Sequence, residues 1–193
     1  MKAKDIHKTL NGIYPLTDEA WLAFSALLEP AGLEKSEYLV REGGRVHHAY
    51  FLEEGLIRVF YNKDGNEYNK TFFIPGMFPT PITALLSDAP CQLNFQALLP
   101  CRLFRFPYRA FRELFPEHRC LESMMLRLME YEWMKKELHD IRMVTNDATS
   151  NYMIFREEYP ELENLIPQYH IASYLGVTPI QLSRIRARLA QPN

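Results

Sequence analysis

The chain has 193 residues, 47% of them hydrophobic and 24% charged, with a formal net charge of −2. This suits one medium domain or two small ones with a real core and excludes a disordered chain. No apolar run approaches the ~18 residues needed to cross a bilayer, and the opening MKAKDIHKTLNG lacks the apolar stretch of a signal peptide, so a cytoplasmic protein without a membrane partner is expected. Cys91, Cys101 and Cys120 are too few and too widely spaced for a disulfide framework or a CxxC site. They read as small buried residues, and no metal site is expected.

In LTDEAWLAFSALL, Trp21, Phe24, Leu27 and Leu28 fall on one side of a short helix started by Thr17 or Asp18 as N-cap. The period then changes to two. EYLVR, HHAYFLEE, GLIRVFYN, EYNKTFFI, QLNFQAL and CRLFRF are rich in β-branched and aromatic residues, and Gly43, Gly55, Gly65 and Gly76 punctuate them. Short strands at that spacing predict a β-barrel or sandwich. Asp64-Gly65 is the strongest hairpin signal, because both central positions of a type I′ turn need positive φ.

YRAFRELF reads as one short helix after Pro107, and from Pro116 to about Thr145 no further proline or glycine interrupts the chain. A helix of ~30 residues spans about 45 Å, more than a small domain covers. Leu121, Leu128 and Lys135 share one heptad position, and Met124, Tyr131 and Leu138 another. The seam predicts the same helix of a second copy as partner, with Leu121, Met124, Leu128, Tyr131 and Leu138 at the interface. The alternative is a helix packed wholly on its own barrel. TSNYMIFREEY and LENLIPQYHIASYL supply two more helices.

In HIASYLGVTPIQLSRIRARL a helix ends at Leu175, and Gly176 supplies the left-handed conformation that other residues resist. Thr178 is a good N-cap and Pro179 suits a first turn. Leu182, Ile185 and Leu189 fall on an inner face, ready to meet Ile171 and Leu175. Opposite lie Ile180, Ser183, Arg184 and Ala187, flanked by Gln181 and Arg188. Such a narrow outer face with basic flanks suits an α-helix entering the major groove. From Asn146 onward the acids Asp147, Glu157, Glu158, Glu161 and Glu163 all precede the turn, whereas Arg184, Arg186 and Arg188 cluster on the last helix. The segment is polarised, so one face alone suits phosphate.

The order of short helix, glycine-punctuated roll, long helix and terminal helix-turn-helix resembles the Crp/Fnr family of bacterial transcription regulators across nearly the whole chain. Its most specific parts are IPQYHIASYLGVTPIQLSRIRARL, close to an IPQ-x-x-IASYLG-x-TP-x-x-LSRIR form, and VREGGRVHHAYFLEEGLIRVFY, similar to early strands of the roll. The resemblance implies an α+β fold: a cyclic-nucleotide-binding-like, jelly-roll type sensor over 1–115, a dimerisation helix over 116–145 and a helix-turn-helix domain over 146–193. It also implies ligand-gated promoter binding by a homodimer, with an inverted-repeat operator and RNA polymerase as partners. Thr178, Pro179, Ile180, Gln181, Ser183, Arg184, Arg186 and Arg188 are then the DNA-binding residues. An effector pocket would involve Met77, Phe78, Thr80, Pro81, Cys91, Gln92 and Asn94.

Three departures stand out. cAMP-binding members carry G-E-L and R-S around the cyclic phosphate, where this chain aligns Pro81 and Cys91-Gln92. Loss of that arginine removes a charge-assisted contact, so the effector is expected to be unknown and other than cAMP. The N-terminal cysteine cluster of Fnr-like members is absent, and no cofactor is assigned. The chain stops soon after the recognition helix, so no full wing is expected.

Other readings are weaker. A roll filled by Met77, Phe78, Leu85 and Phe95 would leave no effector cavity. A cupin-like metal enzyme would use His47 and Glu53, but His48 points the opposite way and position 49 is alanine. No Ser/His/Asp or Cys/His pairing and no phosphate loop is present, so no enzyme is expected. A sensor-only β-roll protein with a degenerate DNA-binding domain is the remaining alternative.

Overall fold

A computed structural model describes residues 2–190. The chain divides into two compact units, one of residues up to Val59 with Phe72–Trp133, the other of Phe60–Thr71 with Met134 onward. The division differs from the contiguous segments expected from sequence, because the tip of one hairpin groups with the C-terminal helices. The expectation about a wing reaches 191–193, which lie outside the described residues.

The first unit opens with α1 (Ile6–Ile13), whose N-cap Asp5 accepts a hydrogen bond from the Lys8 amide, and α2 (Asp18–Ser25). Of the two candidate caps for α2, Thr17 is the one used: its side chain accepts from the Ala20 amide at 3.2 Å. The strands are β1 (Glu29–Leu33), β2 (Tyr38–Val40), β3 (His48–Lys63), β4 (Asn66–Phe73) and β5 (Asn94–Pro107), with α3 (Ile82–Ser87) between the last two. They form a five-stranded sheet in the order β1-β5-β3-β4, with β2 also paired to β5. Both β1 and β2 run antiparallel to β5, and an ion pair of 2.9 Å joins Glu29 to Arg105 across the β1–β5 register.

Two expected strand breaks do not occur. Gly55 lies inside β3, with φ of 106°, where an added Cβ would stand 2.5 Å from the Pro100 carbonyl oxygen and 2.6 Å from Cys101 Sγ. The glycine therefore admits a close approach of β5 instead of ending the strand. Pro100 and Cys101 likewise lie within β5. At the hairpin, Asp64 and Gly65 both adopt positive φ, 55° and 84°, as the two-residue turn requires.

Behind the sheet, α4 (Tyr108–Glu113) and the start of α5 (Arg119–Thr145) complete a core with α1 and α2. Phe24 meets Phe106 and Phe111 edge-on at centroid distances of 5.0 and 5.1 Å, and Leu10, Phe51 and Leu121 pack around them. Each such side chain contributes about 1.5–3 kcal/mol on burial. Cys91 and Cys101 join the neighbouring cluster of Val40, Leu52, Ile57 and Phe95, while Cys120 is half-buried. Burial pushes the Cys101 thiol up to about 11, which leaves it protonated and unreactive at neutral pH.

The second unit contains α6 (Ala148–Glu158), α7 (Leu162–Leu165), α8 (Gln168–Tyr174) and α9 (Pro179–Leu189). The single helix expected over LENLIPQYHIASYL is two, because Ile166, preceding Pro167, is extended at φ −125° and ψ 155°. Tyr152, Phe155, Tyr159, Leu162, Ile171 and Tyr174 are buried within this unit.

Candidate nucleic-acid interface and effector region

The link between α8 and α9 is made by local chemistry. Gly176 has φ of 67°, and its amide follows the Schellman-like closure in which the Val177 amide donates to the Ala172 carbonyl at 3.0 Å. Thr178 then caps α9. Its Oγ1 accepts from the Gln181 amide at 3.2 Å, while Gln181 Oε1 accepts from the Thr178 amide at 2.8 Å, and Pro179 occupies the first turn.

Leu182 is fully buried and Ile185 nearly so, and both Ile171 and Leu175 of α8 are buried. Leu189 departs from this face: it is 41% exposed, because the helix ends there. On the other side Thr178, Pro179, Ile180, Gln181, Ser183, Arg184, Ala187 and Arg188 are all exposed, Ile180 at 66%, while Arg186 is half-buried. Among the described residues Arg184 and Arg188 form no ion pair within the chain, so both guanidinium forks stay open to an external anion. Two acids of this unit are engaged elsewhere, Glu158 with Arg142 at 2.8 Å and Glu163 with Arg156 at 3.2 Å, while Asp147 caps α6, its carboxyl held low first by the Ser150 amide and in smaller part by the Arg188 charge.

α5 is 27 residues long, starting three residues later than the sequence suggests, and reaches about 40 Å. The expected seam is corrected at its first half. Leu121 and Met124 are buried in their own unit's core, at 0% and 3% exposure, and so are not offered to a partner; Leu128 is half-buried. Further along, Tyr131, Met134, Leu138 and Ile141 are exposed at spacings of three, four and three residues, with Trp133 and Val144 beside them and Leu126 exposed earlier in the helix. Tyr131 and Leu138 keep one expected heptad position, while Met134 and Ile141 form the other, one residue ahead of the position that Lys135 shares with Leu128.

Four of the expected effector residues make contacts within their own unit. Thr80 Oγ1 accepts from the Tyr50 amide at 2.9 Å, and Asn94 Oδ1 accepts from the Glu42 amide at 3.1 Å. Cys91 is buried, with its thiol donating to the Leu93 carbonyl at 3.3 Å; Pro81 is buried, Met77 and Phe78 are half-buried and Gln92 is exposed. Phe78 packs on Phe51 with centroids 5.3 Å apart. A concavity of about 360 Å³ lies elsewhere in this unit, lined by Gly32, Leu33, Glu37, Glu54, Cys101 and Arg102. A residue that the sequence did not single out is Arg58 of β3, 5% exposed, whose Nε and Nη2 donate to Gln96 Oε1 at 2.9 and 2.6 Å. His47 is exposed and precedes β3, while Glu53 pairs with Arg102 at 3.2 Å; among the described residues no three His, Cys, Asp or Glu side chains converge to hold a metal. No helix among them is long and apolar enough to cross a membrane.

Residues 32–118 match the family model of the cyclic nucleotide-binding domain. The cyclic-nucleotide-binding-like region thus begins at β1 and ends just before α5. The chain is similar in fold to the global regulator CLP of Xanthomonas campestris, described as responsive to c-di-GMP, with 15% identity over 90% of this chain and 91% of that one and a TM-score of 0.68. FixK2 of Bradyrhizobium japonicum shares 16% identity over 84% of each chain, with a TM-score of 0.70. The catabolite activator protein of Thermus thermophilus shares 16% over 94% of this chain and 86% of that one, with a TM-score of 0.57. Compared by sequence with curated proteins, the chain has no match.

Proposed function

We propose that the chain is a transcription regulator of Crp/Fnr type, which binds promoter DNA as a homodimer under control of a small-molecule effector. The observation that carries this reading is α9: Leu182 and Ile185 hold it from below, and Ile180, Ser183, Arg184 and Arg188 lie uncovered above. That distribution suits a helix in the major groove, Arg184 reaching a guanine edge, Ile180 packing on a thymine methyl, and Arg186 and Arg188 flanking toward phosphate. The likeness in fold to the global regulator CLP and to a catabolite activator protein supports it.

Dimerisation would use the exposed stripe of Tyr131, Met134, Leu138 and Ile141 on α5. Two recognition helices then meet half-sites about 34 Å apart, which makes the operator an inverted repeat. The effector would bind in the cyclic-nucleotide-binding-like region. Pro81, Cys91 and Gln92 bring no cation to the positions where a cyclic phosphate would sit, which favours an effector other than cAMP.

The test is a gel shift of the full chain with DNA from upstream of its own gene, against an unrelated duplex as competitor. A shift that survives competition is expected. A shift equally lost to any duplex supports the sensor-only alternative. Titration calorimetry with cAMP is expected to give no tight binding, and tight binding would overturn the effector reading alone.

A further inference from the structure

β4 is the last strand in the sheet order among the described residues, so no further strand of them pairs with its outer edge. At residues 67 and 69 that edge meets α8. Ser173 Oγ accepts from the Asn69 amide at 3.0 Å and donates to the Glu67 carbonyl at 2.8 Å. Backbone groups alternate in direction along a strand, so residues 67 and 69 face the same side. One hydroxyl therefore satisfies a donor and an acceptor that a neighbouring strand would otherwise take.

Asn69 adds side-chain contacts to the same helix. It is buried, and its Nδ2 donates to the His170 carbonyl at 3.0 Å and approaches His170 Nδ1 at 3.3 Å. With the amide as donor, the imidazole accepts at Nδ1 and carries its proton on Nε2. Nearby, Thr71 Oγ1 and the Tyr159 hydroxyl stand 3.2 Å apart. These contacts are all internal to the second unit.

The arrangement sets a register. A slip of one residue along β4 would present backbone groups pointing the opposite way, and the hydroxyl would lose both partners. Apolar packing alone tolerates sliding; a donor and an acceptor at fixed spacing do not. α8 in turn packs on α9, its Ile171 and Leu175 buried as are Leu182 and Ile185.

We infer that Asn69 and Ser173 are positioning residues for DNA reading: the hairpin tip fixes the direction of α8, and through it the angle at which α9 offers Arg184 and Ile180. This deepens the DNA-binding proposal and rests on it. The bridge leaves the exposed face of α9 uncovered, so it orients the reading helix and does not block it.

The test uses the full chain with Ser173→Ala, Asn69→Ala and Ser173→Thr, the last keeping the hydroxyl. Hydrogen exchange of the α9 amides should quicken about five- to tenfold in both alanine variants, the effect of losing one or two net hydrogen bonds, with α2 amides unchanged. The ratio of affinities for a selected operator and a shuffled duplex should fall about tenfold in the alanine variants and recover in Ser173→Thr. Unchanged α9 exchange, or equal loss of affinity for both duplexes, would overturn the positioning role. If the parent chain itself prefers no duplex, the DNA-binding proposal fails, and α9 exchange alone decides whether the bridge orients the helix.

Discussion

Thr178 and Gln181 cap one helix reciprocally, each side chain accepting from the other's backbone amide, at 3.2 and 2.8 Å. The first turn of α9 thus has two of its otherwise unpaired amides satisfied before any DNA arrives. Thr178→Ala should destabilise the second unit by about 1 kcal/mol, and Gln181→Ala by less, since the hydroxyl bond remains. Urea denaturation followed by circular dichroism checks this. Equal midpoints for Thr178→Ala and the parent would mean that solvent replaces the cap.

Arg184 and Arg188 are both exposed on α9, but they play different parts in the proposed complex. A fork near the centre of the reading face can take both acceptors of a guanine, a contact of about 1–3 kcal/mol in discrimination. Arg184→Ala should therefore erase preference at one base pair per half-site. Arg188→Ala should weaken binding to all sequences alike and lower the salt slope by about one unit per phosphate contact. An unchanged ranking of a randomised operator library with Arg184→Ala would dismiss the base contact.

The apolar stripe on α5 gives a third expectation. Leu138 is 48% exposed between Met134 and Ile141, and a charge placed there would sit inside the proposed dimer seam. Leu138→Glu should move the mass in solution toward monomer at micromolar concentration, and Leu128→Glu should do so less, because Leu128 is already half-buried. Sedimentation velocity measures both. A parent chain that is monomeric throughout would remove the dimer from the reading.

What the sequence made legible was local. Thr17, the Asp64-Gly65 turn and the Gly176-Val177-Thr178-Pro179 connection each carry their structural instruction in a few adjacent residues. The failures have physical causes of longer range. β1 contains Pro30 and Gly32 and has little strand propensity of its own; it forms because β5 offers an edge from Cys101 to Arg105. α1 lies outside the sequence reading although Ile6, Leu10 and Ile13 stand at helical spacing against the core and Asp5 supplies a cap. Gly55 reads as a break in the sequence because a glycine needed for close approach looks the same there as one needed for a turn. The grouping of the hairpin tip with the C-terminal helices depends on Asn69 meeting Ser173 across 104 positions, which no window of sequence contains.

The exposed half of the seam was likewise only partly readable. Spacing identifies Tyr131 and Leu138, but that Leu121 and Met124 both face inward depends on α1, α2 and α4, whose packing is tertiary. The DNA-facing residues of α9 were easier, since one turn, one cap and two buried side chains fix the orientation of a short helix.

His139 supplies the pH dependence. Its ring lies 5.2 Å from that of Tyr174, and its Nδ1 stands 3.3 Å from the Tyr174 hydroxyl. Burial lowers the His139 pKa below its ordinary 6.5, followed by opposing influences from Asp140 and Glu158, which raise it, and Arg142 and Lys136, which lower it. Burial also raises the Tyr174 pKa, so the hydroxyl remains a donor and the neutral imidazole accepts. A folded pKa below the unfolded value means that the unfolded chain binds more protons as the medium acidifies. The contribution of His139 is therefore full above pH ~6.5 and is lost as pH falls from there toward the folded pKa. Urea midpoints at pH 7.5 and 5.5 should differ more for the parent than for His139→Gln, which keeps a neutral polar side chain at both values. Taking the difference between the two proteins removes the other histidines. Equal pH dependence in both would show that the imidazole titrates alike in the folded and unfolded chain, and that its place against Tyr174 confers no acid sensitivity.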